Sequence, residues 1–457
     1  MPEIPLSLAY LAAALKPHGH DVKIIDLNVV DTLEELKAQL GDLAFDIIGF
    51  AATTPIITNC YRIIKIMKKK YPSAKMVLGG WHASALPIQT MNECKEIDYI
   101  VKGEGEITFV ELAAAIENGS RVEGILGVVY RDDQGIPVEN PDRPLINNID
   151  TIPFPDRSLL PNAAYKRNGF YTVDGYYKKD LNISSIFTSR GCANRCKFCA
   201  DHVIYKETCR FRSPENVISE IEKMVKEQNI RIILFLDANF MFSPTRVKRI
   251  CELIIEKNLK FIWTCYARVD TISEEILRLM KTAGCIRISY GIESGSPRML
   301  KKMNKNITIK QIKQAIALTK KVGISIYAFF IYGLPGETIQ DLKYTRQLMH
   351  EIQPDFVSQS VAIPYPGSDI YDEALKENLI KTKDWNSFSF FFNNILSLPD
   401  ANKIFRFQKK IQRDFYLSPR FIWQSLKKIR SIYHVFFYLR GFRIFLMYFF
   451  VMAKKGI

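Results

Sequence analysis

Residues 190–200 read RGCANRCKFCA, and Cys192, Cys196 and Cys199 stand there at the spacing CxxxCxxC. A closed structural metal site takes four protein ligands, whereas three leave one coordination position for another molecule. Closely spaced thiolates also hold iron–sulfur clusters. Three of them can bind three irons of a cubane and leave the fourth iron open. On spacing alone zinc remains the competing reading, with a fourth ligand such as His202 or Cys209.

The sequence around the cysteines decides more. SSIFTSRGC reads as a strand running into the loop. Beyond the loop, helical periods (PENVISEIEKMVKEQ, PTRVKRICELIIEKN, SEEILRLMKTAG, IKQAIALTKKVG, TIQDLKYTRQLMHEI) alternate with strands (IRIILFLDANF, KFIWTCYAR, CIRISYGIESG, ISIYAFFIYGLPGE, DFVSQSVAIPYPGS). Six strands alternating with five helices predict an open, partial parallel (β/α)6 barrel over residues 183–370, with functional residues at the carboxyl ends of the strands. The cysteines, Asp237 with Asn239, Glu293 with Ser294, and Gly333–Gly336 all follow strands, on one rim. Cys251 and Cys285 read as core, and Cys265, near the end of the third strand, is expected to face the barrel interior.

Residues 1–140 alternate in the same way, as LSLAYLAAALKPHGH, VKIIDLN, TLEELKAQL, FDIIGFAATT, CYRIIKIMKKKY, AKMVLGG, IDYIVKGEGE and ITFVELAAAIENG. This predicts a doubly wound, Rossmann-like α/β domain with its ligand at the carboxyl ends of the strands. GILGVVYRDDQGIPVE reads as a hairpin, and residues 141–182 as a proline-rich connector.

The net charge of +15 is uneven. Residues 401–457 contain thirteen Lys and Arg against the single acid Asp414 and so carry +12 of it. A near-neutral body with a basic tail does not fit a nucleic-acid binder. The longest apolar run of the tail, residues 444–453, is half the roughly 20 residues that span a bilayer. The extension 371–457 is therefore expected to be helical, either a cap on the barrel or an interfacial segment making peripheral membrane contact. Nine cysteines without a secretory signal point to reduced thiols and a cytoplasmic setting.

CANRCKFC after a strand, with Phe198 ahead of the third cysteine, resembles the signature of the radical S-adenosylmethionine (SAM) superfamily. FLDANF resembles the family's acidic motif, GIESGSPRMLKKMNK the segment after its fourth strand, and FIYGLPGET its Gly-Pro-Gly turn. The resemblance implies a [4Fe–4S] cluster on Cys192, Cys196 and Cys199, with SAM on the open iron. It implies SAM contacts from Phe198, Asp237, Asn239, Arg268, Glu293, Ser294, Gly333, Pro335 and Gly336. One electron then breaks a C–S bond of SAM, and the 5′-deoxyadenosyl radical takes hydrogen from an unactivated carbon.

The first domain resembles the cobalamin-binding region of class B radical SAM enzymes. The strand-end residues Thr53, Thr54, Gly79, Gly80, His82, Gly103, Glu104 and Gly105 are the cobalamin contacts so implied. The family's DxHxxG motif is absent, so no protein histidine is expected on the cobalt, and His82 is read as packing on the sheet. Such domains open with a strand ahead of the LAYLAA helix. Here that helix starts at about residue 6, so either the sequence begins downstream of that strand or the domain lacks it. Methyl transfer is the commonest chemistry the resemblance implies, with ring closure or oxidation, as in anaerobic magnesium-protoporphyrin monomethyl ester cyclase, as the alternative. A small, hydrophobic substrate and a reductant such as flavodoxin or ferredoxin are the expected partners.

Overall fold

The first three strands, β1 (Ile47–Ala51), β2 (Lys75–Gly79) and β3 (Tyr99–Val101), are parallel neighbours. The expected hairpin, β4 (Val128–Arg131) and β5 (Pro137–Glu139), continues the sheet antiparallel, giving the order β1-β2-β3-β4-β5. Its turn is locked by Asp132, whose carboxylate accepts from Gln134 and Ile136 N–H. Apolar stripes on the helices Ile57–Lys70 and Gly105–Glu117 cover the sheet. The structure is a computed structural model and describes residues 4–30, 32–41, 43–161, 182–389, 395–429, 432, 435–436 and 438–443.

Residues 22–28 do not form the expected strand. Among the described residues this segment has no ladder partner. Ile24 packs instead into a small cluster with Ile4, Leu6, Tyr10 and Leu160, and β1 forms the sheet edge.

The second half starts its helices with hydroxyl caps. Ser213, Ser273 and Ser296 accept from the N–H three residues on. Thr308 with Gln311, and Thr338 with Asp341, close full capping boxes. Such caps satisfy the orphan donors of the first turn and fix where each helix leaves its strand. The strands β6 (Asn182–Ile186), β9 (Ile230–Phe235), β10 (Ile262–Ala267), β11 (Cys285–Glu293), β12 (Ser325–Tyr332) and β13 (Phe356–Val361) form one parallel sheet, β13-β12-β11-β10-β9-β6. Between β6 and β9 lie two short strands, β7 (Ser189–Arg190) and β8 (Arg210–Phe211), paired with each other. The six-stranded sheet is an open barrel, because β6 and β13 are its two edges.

Strand alternation divides the barrel into two faces. On β12, Ile326, Ala328, Phe330 and Tyr332 are buried under the helices, while Ser325, Tyr327, Phe329 and Ile331 are half-buried on the concave face. Cys265 belongs to the helix side. It is buried in one cluster with Cys251, Cys285, Trp263 and Phe240, so the expectation that it faces the interior is corrected. The reason is parity: Cys265 shares its face of β10 with Trp263, and Thr264 and Tyr266 take the other.

In the extension, helix Ala401–Tyr416 caps the barrel, burying Ile404, Phe405, Ile411 and Phe415. Helix Pro419–Lys427 has no buried residue. The apolar run at 444–453 lies outside the described residues.

Candidate active site: the cysteine loop and the facing strand ends

The cysteine loop leaves the sheet through β7 and returns through β8. Gly191 has φ +81°, and a Cβ there would come within 2.3 Å of the Thr208 carbonyl, so only glycine lets the loop close. Lys197 N–H donates to Met303 O (3.0 Å), Ile370 N–H to Lys197 O (3.0 Å) and Cys199 N–H to Cys196 O (3.0 Å). Asn194 Nδ2 donates to Cys192 Sγ at 3.4 Å. Burial pushes the Cys199 thiol up to about 12, with Asp201, Cys196 and Cys192 adding to the rise. Burial also raises the Cys196 thiol, against the pull of Lys305 and Arg268. Among the described residues no three His, Cys, Asp or Glu side chains converge as ligands of a single ion. A loop whose thiols each take a different iron has no need of such convergence.

Asp237 is fully buried just beyond β9. Its carboxylate accepts from Thr188 N–H (3.0 Å), Thr188 Oγ1 (2.9 Å) and Ser189 Oγ. Burial raises its pKa, while Arg246 and these donors oppose the rise. It therefore anchors the backbone that leads into the cysteines. Asn239 Oδ1 accepts from Arg268 N–H at 3.2 Å, and its Nδ2 is a buried donor with no partner among the described residues. Such an orphan, at the carboxyl ends of β9 and β10, fits a carboxylate-bearing ligand. Arg268 pairs with Asp270 and donates to Lys305 O at 2.8 Å.

Glu293 ends β11 with φ +65°, after a register shift at Gly291. A Cβ on Gly291 would come within 2.5 Å of Glu293 Oε1, so this glycine makes room for the folded-back carboxylate. There it meets Lys305 Nζ at 2.8 Å, both side chains buried. The Lys305 ammonium also lies 5.7 Å from the Phe198 ring centroid. Lys305 went unnoticed in the sequence reading; its signal was a lysine in the MNKN turn closing the quoted fourth-strand segment. Ser294 turns away from the strand-end space, toward Thr345 Oγ1 (3.3 Å) and Ser296 N–H (3.1 Å). Gly333, Pro335 and Gly336 form a turn held by Arg298 on Gly336 O (2.9 Å) and by Glu337, which accepts from Gly333 N–H (2.5 Å). Burial drives the Glu337 carboxyl up to about 8.

The strand ends of the first domain face this loop. Trp81 packs edge-on to Tyr205 at 6.4 Å between centroids. Thr53 is exposed at the end of β1. Gly79 ends β2, and Gly80 (φ +98°) closes on Ala52. Gly103 (φ +68°), just past β3, leaves open space where a side chain would stand, whereas Gly105 abuts Leu11. Thr54 Oγ1 is 3.1 Å from His82 Nδ1, and the buried imidazole stands edge-on to Trp385 at 4.8 Å. Burial lowers the His82 pKa to about 4, so the ring is neutral at pH 7, and its Nε2 is unpartnered among the described residues. Glu104 is not free for a ligand. Its carboxylate is taken up by Arg190, Arg210 and Ile146 N–H.

A three-thiol loop on the rim of an open parallel barrel thus stands against the carboxyl ends of the parallel strands β1, β2 and β3 of the first domain. The Radical SAM superfamily profile matches residues 186–349, and the B12 binding domain profile residues 2–113. An uncharacterized methyltransferase of Pyrococcus horikoshii is 34% identical over 425 residues, 92% of this chain and 90% of that one. The anaerobic magnesium-protoporphyrin IX monomethyl ester cyclase of Rubrivivax gelatinosus is 32% identical over 81% of this chain and 66% of its own. Among solved structures, the cobalamin-dependent SAM radical enzyme OxsB, with aqua-cobalamin and SAM bound, superposes with a TM-score of 0.74 at 21% identity, covering 95% of this chain and 70% of that one. The radical SAM methyltransferase TsrM of Kitasatospora setae gives 0.68 at 21% identity, covering 82% and 72%. The chain belongs to the cobalamin-dependent, class B branch of the radical SAM superfamily. It is an enzyme whose cofactors are a [4Fe–4S] cluster, SAM and cobalamin.

Proposed function

We propose that this enzyme transfers a methyl group from SAM to an unactivated carbon of a small molecule. The observation that carries the reading is that the carboxyl ends of the parallel strands of two sheets, one of each cofactor class, face each other across the cysteine loop. The Pyrococcus relative, matched over 90% of its length, bears a methyltransferase name. When bound together, the cluster and SAM supply a carbon radical, and cobalamin supplies a methyl carrier. Of the chain's own groups, Cys192, Cys196 and Cys199 hold the cluster. Asn239 Nδ2 is the donor placed for the SAM carboxylate, and Lys305 holds the Glu293 carboxylate at the rim.

The concave face supports a flat, apolar substrate. On it Tyr266 stacks on Phe329 at 25° and 6.1 Å. Faces of this kind favour offset stacking on a planar ligand. A low-potential donor such as flavodoxin or ferredoxin supplies the electrons.

The substrate need not be known for a first test. Anaerobically purified enzyme from cobalamin-fed cells, reduced and given SAM, is expected to release about one equivalent of S-adenosylhomocysteine per bound cobalamin, plus 5′-deoxyadenosine. Release of 5′-deoxyadenosine alone would reject methyl transfer and favour the oxidative ring closure suggested by the Rubrivivax relative.

Among the described residues no helix is long and apolar enough to cross a membrane. The extension nevertheless exposes Ile422, Trp423, Leu426, Ile432 and Phe436 beside Arg420, Lys427 and Lys428. This composition suits peripheral contact with an anionic bilayer and a substrate drawn from it. The enzyme is expected to float with phosphatidylglycerol vesicles at low salt and to be released by Trp423→Ala or by about 0.5 M salt, which shortens electrostatic range to a few Å. Equal flotation on phosphatidylcholine, or none on either, sinks the idea.

A further inference from the structure

All three cysteines lie between β7 and β8, and these two strands put Arg190 directly opposite Arg210. Like charges facing across a ladder destabilise it. Both arginines are nearly buried, so water does little to screen them. The pairing therefore needs an anion, and neither strand supplies one.

The first domain does. Glu104 Oε1 accepts from Arg190 Nη1 at 2.9 Å and from Arg210 Nη2 at 3.0 Å, and Glu104 Oε2 accepts from Arg210 Nη1 at 2.8 Å. One carboxylate thus binds the first residue before the loop and the first residue after it. Glu106 takes the remaining arm of Arg190. Ile146 closes the frame, its N–H donating to Glu104 Oε2 at 3.0 Å and its carbonyl accepting from Arg210 at 2.7 Å. The Arg190 guanidinium also lies 5.2 Å from the Tyr10 ring, on the first helix of the first domain. Two guanidiniums and two carboxylates give a neutral buried set. Burial alone would raise the Glu104 pKa, but hydrogen bonds from Arg210 and Arg190 outweigh it and hold the group ionised.

Glu104 stands just past β3, beside Gly103, on the strand-end rim of the cobalamin domain. We propose that Glu104, backed by Glu106, is a positioning residue that clamps both ends of the cysteine loop to the cobalamin domain and so fixes the separation of the two cofactor seats. A bidentate carboxylate–guanidinium pair has the directional rigidity for this task, which a single point contact lacks. The functional consequence rests on the methyl-transfer reading; the clamp itself does not.

The test uses holoenzyme and three variants: Glu104→Gln, Glu106→Gln and Glu104→Gln/Arg210→Gln. Glu104→Gln is expected to bind cobalamin normally, to exchange the amides of residues 191–209 at least tenfold faster, and to slow S-adenosylhomocysteine release about tenfold, since a misplacement of about 1 Å costs this much or more. Glu106→Gln, which leaves both arginines on Glu104, is expected to show a smaller effect of the same sign. The double variant removes one of the opposed cations with the anion, so it relieves the repulsion across the ladder but leaves the far end of the loop unclamped; its exchange is expected to stay faster than the wild type's and its S-adenosylhomocysteine release as slow as in Glu104→Gln. Unchanged exchange in Glu104→Gln overturns the proposal. So does a double variant that recovers both wild-type rates, which would reduce Glu104 to a countercharge for the ladder, or loss of cobalamin with exchange unchanged, which would make Glu104 a cobalamin contact. If the wild-type enzyme releases no S-adenosylhomocysteine, the methyl-transfer reading fails while hydrogen exchange still judges the clamp.

Discussion

Cys196→Ala is expected to abolish reductive cleavage of SAM, taking 5′-deoxyadenosine to the level of the enzyme-free control, while the chain stays folded. Three thiolates each take one iron, so loss of one removes the arrangement that leaves a single iron open to SAM. The stability cost is small by comparison. Cys196 is buried, but the deleted group is one sulfur in a loop held by backbone hydrogen bonds donated by Lys197 N–H and Cys199 N–H, which alanine keeps. A loss of about 1 kcal/mol is expected in the iron-free protein. Two further cysteines act as controls. Cys251→Ala lies in the helix-side core and should retain full iron and SAM cleavage at a cost of about 1–2 kcal/mol. Cys209 is one of the two fourth ligands, with His202, that the zinc reading offers. Cys209→Ala should therefore keep both iron and activity. Stoichiometric zinc without iron in the wild-type protein, lost in Cys209→Ala, would reverse the assignment. So would global unfolding of Cys196→Ala, the mark of a structural metal.

The features legible in the sequence are those fixed by short range. The spacing of Cys192, Cys196 and Cys199 and the succession of strand and helix periods along the barrel are local patterns, and each places its element. Long-range pairing is not written that way. Residues 22–28 have the composition of a strand, yet without a ladder partner they are not one. Glu104 was legible as a residue at a strand end. Its partners Arg190 and Arg210 lie 86 and 106 positions away, and no period in the sequence links them. Lys305 escaped notice for a related reason. A lysine in a loop is usually solvated, and only the fold shows this one buried against Glu293. The same limit applies to Asp237, where the resemblance implies contact with SAM and the geometry shows another use of the carboxylate.

Asp237→Ala is accordingly expected to unfold more easily, not merely to bind SAM less well. The carboxylate accepts three different donors from Thr188 and Ser189, one of them a buried backbone N–H. Removing it strands that N–H, and hydrogen bonds to a charged acceptor are each worth about 1.5–3 kcal/mol. It also takes from Arg246, itself buried and bonded to Thr188 O at 2.7 Å, its main countercharge, with Asp150 a weaker one. Removing one member of a buried charge set costs about 3–5 kcal/mol. The urea midpoint of the iron-free protein should fall accordingly. Iron loading should fall with it, because Thr188 and Ser189 deliver the chain to Cys192. Asp237→Asn keeps an acceptor for Thr188 N–H but not the charge, so a loss of about half that size is expected. The alternative has a distinct outcome. If Asp237→Ala loads iron, melts like the wild type and loses only SAM affinity, its carboxylate turns to the ligand in the working enzyme and the anchor assigned to it does not exist. The partial-loss variant decides an intermediate result: a stability change that tracks iron content across Asp, Asn and Ala belongs to the anchor, and a SAM affinity that falls ahead of stability belongs to the ligand contact.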